Sequence, residues 1–172
     1  MEIALLAKNG LKIKGKQTVL LVNCVDKSIH FSGIIALGAG DDKAFRTANT
    51  VVINGPGEYE IGGIKITGFR ADSDAIYSLK VDDVDVLLGT IQDLENMHQK
   101  LKEHNLVVVN VSNSTKDASF VTGLSSNAVL YYGDEAEAVV KNFVKEAVQK
   151  LSKYQTTKDK LPQEMETILL SQ

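Results

Sequence analysis

Residues 51–69 read VVINGPGEYEIGGIKITGF. Two breaks interrupt an otherwise apolar or alternating run, one at Gly55-Pro56-Gly57 and one at Gly62-Gly63. Proline fixes φ and glycine reaches positive φ without a Cβ clash, so both breaks are turns. The pieces around them, 51–53, 58–61 and 64–69, are then strands, and the second turn closes a hairpin. Gly55, Pro56 and Gly57 are architectural residues that permit the bend. Glu58 is placed to accept backbone hydrogen bonds there.

Working outward from this hairpin, the first half of the chain continues as strands. Residues 3–7 and 11–14 flank Lys8-Asn9-Gly10, and Asn-Gly supplies the positive φ angles of a tight turn. Residues 18–25 and 33–37 are continuous apolar runs, the pattern of strands buried on both faces. Residues 76–80 and 84–88 are joined by the acidic Val81-Asp82-Asp83.

The second half alternates helix and strand. Ile91, Leu94, Met97 and Leu101 recur at helical spacing behind Thr90, with Asp93 completing a capping box. Strands are expected at 106–111, 128–132 and 167–170, with a short helix at 117–124. A long helix is expected from Glu135 to Tyr154, capped by Asp134, with Ala136, Val140, Phe143, Ala147, Leu151 and Tyr154 on its inner face. Strands first, then helix–strand alternation, suggest an α/β sandwich of two sheets in one domain spanning residues 1–172.

Composition narrows the function classes. The chain has 172 residues, 44% of them hydrophobic, and a mean hydropathy of −0.05. A net charge of −3 gives no general attraction to nucleic acid or anionic membrane. Five Tyr, five Phe and no Trp provide no basic–aromatic platform for single strands. Apolar runs such as 106–111 are too short to span a bilayer. The opening MEIALLAKNGLKIKGK places its apolar residues ahead of its lysines, the reverse of a secretory signal. The single cysteine, Cys24, forms no internal disulfide and suits a reducing cytoplasm. Within VLLVNCV it reads as a buried structural thiol.

The stretch most open to a functional reading is GIIALGAGDDKAF, residues 33–45. A dinucleotide loop needs three glycines and a helix N-terminus free of repelling charge. Here Lys43 occupies the third glycine position, and Asp41 and Asp42 would repel a phosphate. A nucleotide P-loop needs lysine after its second glycine, where this chain has Ala39.

The hairpin resembles the GPGEYEI hairpin of small metallo-β-lactamase-fold proteins. The opening resembles their first hairpin, MEI-x-WLGHS-x-F-x-IKGK, and KLSKYQTTKDKLPQEMETILL is similar to their closing segment. The resemblance implies an αββα sandwich with zinc or iron at one edge of the paired sheets, held by an HxHxDH loop after a buried strand. At that place stands Gly38-Ala39-Gly40-Asp41-Asp42-Lys43: Gly38, Gly40 and Lys43 replace the histidines, and Asp42 alone matches. The first hairpin's WLGHS corresponds to Leu5-Leu6-Ala7-Lys8-Asn9, and the T-D-P stretch to Val22-Asn23-Cys24. The bridging-carboxylate position corresponds to Thr90, better read as a helix cap. The late histidine falls in Leu130-Tyr131-Tyr132-Gly133.

The chain owns three histidines, His30, His98 and His104, and none shares ligand spacing with another. Asp41, Asp42, Glu58, Glu60, Asp72 and Asp74 form an acidic scatter that reads more simply as turn-flanking carboxylates than as a Mg²⁺ or Ca²⁺ site. Ser112–Thr115, Ser119 and Ser125-Ser126 lack a histidine in a convincing frame. The expectation is therefore a non-catalytic protein of this fold. It would carry no cofactor or metal and act through a protein partner or self-association, a homodimer being simplest. Two alternatives stay open: a hydrolase with an unconventional site at Asp41, Asp42 and Lys43, and a small-ligand sensor using the vacated cleft.

Overall fold

In a computed structural model of the chain, residues 1–7, 9–38, 43–46, 50–72, 74–112, 118–144 and 147–172 are described, with the backbone alone for Ala7, Lys43, Thr122 and Phe143. Two sheets lie face to face. The first has six strands: β1 (Glu2–Ala7), β2 (Gly10–Lys14), β3 (Val19–Val22), β4 (Gly33–Ile35), β5 (Val51–Ile53) and β13 (Lys153–Gln155), in the order β13-β1-β2-β3-β4-β5. The second has eight: β6 (Gly57–Ile61), β7 (Ile64–Arg70), β8 (Ala75–Val81), β9 (Val84–Thr90), β10 (Leu106–Asn110), β11 (Ala128–Tyr132), β12 (Val148–Leu151) and β14 (Glu166–Leu170). Their order is β12-β14-β11-β10-β9-β8-β7-β6.

The expected hairpin sits at one margin of the second sheet. Strands β6 to β9 form an antiparallel meander, because turns as short as Gly62-Gly63 and Asp82-Asp83 can only reverse the chain. From β9 onward the pairing is parallel, and α1 (Ile91–Met97) and α2 (Ala136–Phe143) lie in the crossovers. Both helices pack on the outer face of this sheet. Strand β7 accordingly alternates buried and exposed, whereas β10 and β11 are buried at every residue.

Two apolar layers follow from the two-residue period of the strands. Leu11, Ile13, Leu20 and Val22 meet Leu79, Val86, Leu88, Val108 and Leu130 between the sheets. On the far side of the second sheet, Leu87, Val107, Val109 and Val129 meet Leu94 of α1 with Val139 and Val140 of α2.

The long helix expected over 135–154 is corrected. It ends at Phe143; Val144 is extended at φ −95, ψ 118, and the chain continues as β12 and β13. The helical spacing of Ala136, Val140, Leu151 and Tyr154 misleads because these apolar residues serve different layers, Ala136 and Val140 lying in the outer core. Val148 packs on the outer core, while Leu151 and Tyr154 pack between the sheets. One helical stripe cannot reach both faces of a sheet. Near Ser152, whose carbonyl accepts from Leu5 N at 3.0 Å, the chain passes from the edge of one sheet to the edge of the other. The cap also differs. Glu135 occupies the N-cap without a side-chain bond, and Asp134 Oδ2 instead accepts from Asn9 Nδ2 at 2.7 Å.

Smaller differences have local causes. The strand expected over 18–25 stops at Val22, because Asn23 turns left-handed at φ 51 and its carboxamide closes two 2.7 Å bonds with Leu37 N and O. The helix from Ile91 tightens into a 3₁₀ turn at His98–Lys100 before Leu101. The short helix expected at 117–124 is a 3₁₀ stretch, Ser119–Leu124, and its first residue Asp117 lies outside the described residues. Among the described residues, no helix is long and apolar enough to cross a membrane.

Candidate functional site

Parallel strands collect their carboxyl ends at one edge, and β3, β4, β9, β10 and β11 do so here. Contacts across that edge tie the two sheets together. Gly38, following β4, donates its amide to Asp74 Oδ2, and a Cβ placed on Gly38 would lie 3.1 Å from Thr90 Cγ2. Its φ of 63 is one that glycine adopts without strain. Asn9, in the β1–β2 turn, accepts from Ser112 Oγ after β10 and donates to Asp134 after β11.

Register then places three polar residues in one row. Thr90 pairs with Asn110, and Asn110 with Tyr132, at the last position of β9, β10 and β11. The two-residue period puts them in phase with Leu88, Val108 and Leu130, facing the other sheet. The Thr90 hydroxyl caps α1: it accepts from Asp93 N at 3.2 Å and donates to the buried Asp93 carboxylate at 2.7 Å. Thr90 as a helix cap is thus the observed arrangement.

Its two neighbours in the row are buried and incompletely bonded. Neither Asn110 Nδ2 nor the Tyr132 hydroxyl has a hydrogen-bond partner among the described residues. Burial pushes the Tyr132 phenol well above its ordinary value; the nearby Asn110 carboxamide opposes that shift without closing a bond. Both groups therefore stay neutral at any physiological pH. Cys24, half-buried after β3, has its thiol pushed up to about 11, chiefly by burial, and contacts Leu11 O at 3.7 Å. It remains a thiol, consistent with a structural rather than nucleophilic role.

A second unpaired phenol lies nearer the hairpin. Tyr77, fully buried on β8, has no partner for its hydroxyl among the described residues, and burial followed by the Asp74 charge raises its pKa. It packs at Gly68, where a Cβ would come within 2.6 Å of Gly55 O and 3.1 Å of the Tyr77 ring. The Gly55-Pro56-Gly57 turn therefore folds back onto β7. It is held by Tyr59, whose hydroxyl donates toward Gly55 O at 3.2 Å and Pro56 O at 3.3 Å. Glu58 is exposed, and the side-chain bonds that tie this turn are Tyr59's donations to the Gly55 and Pro56 carbonyls.

Of the other expected positions, Gly40, Asp41 and Asp42 lie outside the described residues, and Lys43 is described by its backbone alone, in a 3₁₀ turn with Phe45. The three histidines stand away from this edge. His30 is exposed ahead of β4, at that strand's opposite end. His98 bonds Glu95 O at 2.5 Å and lies 6.0 Å from the Phe120 ring on the outer layer. His104, ahead of β10, bridges Ser78 Oγ and Lys102 O at 2.8 Å each.

The described residues do not fit a zinc or iron site. Such metals take imidazole, thiolate or carboxylate. At this edge stand a glycine, a hydroxyl occupied with a helix cap, a carboxamide, a phenol held neutral, a protonated thiol, and the Asp74 and Asp134 carboxylates, which accept from Gly38 N and Asn9 Nδ2. Among the described residues, no three of His, Cys, Asp and Glu gather as a metal would require.

No protein-family model matches the chain, and no curated protein matches its sequence. Solved structures do. A metallo-beta-lactamase superfamily protein from Thermotoga maritima, named as a Zn-dependent hydrolase, superposes with a TM-score of 0.74 at 13% identity over 98% of both chains. The metallo-beta-lactamase fold protein YhfI from Bacillus subtilis gives 0.62 at 8% identity, over 97% of this chain and 95% of that one. A protein from Parabacteroides distasonis named as a metal-dependent hydrolase gives 0.58 at 15% identity, over 81% and 88%. Two mixed sheets, helices in the parallel crossovers and these superpositions together establish that the chain has the metallo-β-lactamase fold.

Proposed function

We propose that this chain is a non-catalytic protein of the metallo-β-lactamase fold, working by binding or assembly in a reducing compartment such as the cytoplasm. The observation that carries the reading is the row Thr90–Asn110–Tyr132. At the edge where the resemblance implies metal ligands, the three side chains of this row are neutral and shaped for hydrogen bonding. Hydrolysis in this fold requires a group that lowers the pKa of water or an activated nucleophile. The hydroxyl, phenol and thiol at this edge are each held in their protonated, unreactive form. Self-association is the simplest binding role. Among the described residues, the outer strand β5 has no strand on its far side, and it carries Val51 at 52% exposed, a feature that favours strand or patch contacts.

The test combines metal analysis with light scattering on protein purified without a histidine tag. Less than about a tenth of an equivalent of zinc, iron or manganese, with a mass above the monomer, supports the reading. Near one equivalent of metal, together with chelator-sensitive hydrolysis of a phosphodiester, overturns it.

The small-ligand version has its own support in the unpaired Asn110 Nδ2 and Tyr132 hydroxyl. A buried polar group without a partner costs roughly 1–3 kcal/mol, which a small neutral ligand bonding to both would recover.

A further inference from the structure

At the opposite end of the sandwich, three reversals meet: the β2–β3 turn, the Gly62-Gly63 turn and the Asp82-Asp83 turn. They enclose a cleft of about 400 Å³ lined by Lys16, Thr18, Gly62, Gly63, Lys65 and Lys80. Three lysines therefore line one cavity, together with Asp82 and Asp83, in a chain whose net charge is −3.

These lysines are not tied up in ion pairs among the described residues. Lys65 on β7 and Lys80 on β8 are direct cross-strand partners, a placement that is unfavourable for like charges. Glu60 and Asp85 lie one strand further out in the same row, opposite Lys65 and Lys80 respectively, yet neither closes an ion pair with them. Among the described residues, Lys16, Lys65 and Lys80 make no ion pair at all. The acids at the rim are differently placed. Asp82 is occupied, accepting from Lys16 N at 3.1 Å through Oδ1 and lying 3.4 Å from the Met1 ammonium through Oδ2. Asp83, also in the lining, is exposed.

The cleft is also built on a rigid base. Thr18 Oγ1 donates to Gly62 O at 2.5 Å, so close that a Cβ on Gly62 would fall 2.0 Å from that hydroxyl. Gly62 and Gly63 both hold positive φ, at 54 and 84. The turn is thus fixed in place, and Lys65 follows it after one residue.

We propose that this cleft binds a small multivalent phosphate anion, either free or as a phosphorylated metabolite. Three unpaired ammoniums call for at least two negative charges, and a phosphate group concentrates between one and two of them at pH 7. Lysine recognises such groups as a point charge without demanding fixed geometry. The volume falls within the range of roughly 300–1,000 Å³ that holds small ligands. This site is independent of the neutral edge described above, and its test neither uses nor depends on metal or hydrolysis.

The experiment is calorimetric titration of the full chain with inorganic pyrophosphate, in low salt and again at physiological ionic strength. Saturable binding is expected, and Lys65→Gln with Lys80→Gln together weaken it about a hundredfold, since each lost contact is worth about one decade. Substituting Lys27, Lys100 and Lys102, exposed lysines outside the cleft, by Gln leaves the affinity unchanged. Matching unfolding midpoints show that all variants fold. A parallel titration with glycerol phosphate separates the sources: tighter binding than pyrophosphate identifies an esterified phosphate, and weaker binding a free anion. No saturation by either compound up to about 10 mM, where even a millimolar site would be filled, overturns the proposal. So does equal weakening by the distant lysine substitutions, which would reduce the effect to general surface charge.

Discussion

The two ends of this sandwich are built from the same strands and have opposite chemistry. At the carboxyl ends of β9, β10 and β11, the inward residues are Thr90, Asn110 and Tyr132, neutral and largely removed from water. At the other end, Lys16, Lys65 and Lys80 surround an open cleft and keep their charge hydrated. The difference follows from desolvation. An ion buried between two sheets costs several kcal/mol unless paired, whereas a hydroxyl or carboxamide costs far less. A metal would repay the burial of charged ligands at the first end; with neutral ligands that requirement falls away, and the edge becomes one of hydrogen bonding. Charge recognition is left to the turns, where water remains.

The sharpest way to break this comparison is mechanical. If the neutral edge is a closed, packed layer, it should not tolerate added volume. Gly133 sits at φ 117, and a Cβ there would lie 2.6 Å from the Val111 carbonyl oxygen. Gly133→Ala should therefore cost about 3 kcal/mol in chemical denaturation, combining backbone strain with the clash. Gly63 at the lysine end also has positive φ, at 84, but open space around its Cβ position. Gly63→Ala should cost only about 1 kcal/mol, the backbone term alone. Equal losses at the two positions would mean that the neutral edge is as open as the cleft.

Chemical access offers the next test. The Cys24 thiol is raised from 9.0 to about 11 by burial. At pH 8 the folded protein should thus hold about a hundredfold less thiolate than the unfolded chain and alkylate correspondingly slowly. Because the folded value is raised, the associated stability is fully present below pH 9 and is lost as pH rises through 11. Rapid alkylation of the folded protein at pH 8 would put an activated thiol at the edge and revive the enzyme reading.

Thr90 gives a smaller effect. Thr90→Val keeps the branched shape and the Cγ2 beside Gly38 but removes the hydroxyl that caps α1 and reaches Asp93. A loss of about 1–2 kcal/mol is expected, with Thr90→Ser close to wild type. A Thr90→Val protein as stable as wild type would show that the row is not tied to the helix behind it.

Legibility in the sequence divides along the same line. Turns and buried strands are local: Gly55-Pro56-Gly57, Asn9-Gly10 and the apolar runs of β4, β10 and β11 place the strands within a residue or two. The end of α2 was not legible. Leu151 and Tyr154 continue the helical period of Ala136 and Val140 by coincidence while packing on the opposite side of the sheet from them, a fact of tertiary structure. Asn110 was overlooked because it closes the apolar run LVVVN and looks like a strand terminus. Only the pairing with Thr90 and Tyr132 makes it part of a row, although its phase with Leu106 and Val108 was visible. The lysine cleft had no motif to find: Lys65 and Lys80 meet by the pairing of β7 with β8, and Lys16 joins them only when the two sheets stack.

The smallest expected effect is also the most discriminating. Tyr132→Phe removes a hydroxyl that is fully buried and has no partner among the described residues. Deleting such a group should leave stability unchanged or raise it by up to about 1 kcal/mol, because an unmet desolvation cost disappears while the ring keeps its packing against Leu130 and its neighbours. Tyr77→Phe should behave in the same way, which controls for aromatic packing at the hairpin end of the sheet. If instead Tyr132→Phe alone destabilises by about 1–2 kcal/mol, the hydroxyl is bonded to something in solution, and the neutral edge is an occupied binding site. A thermal-shift difference between the two variants would then identify which side of the edge the ligand uses, since Tyr77 and Tyr132 lie on strands three places apart in the sheet order.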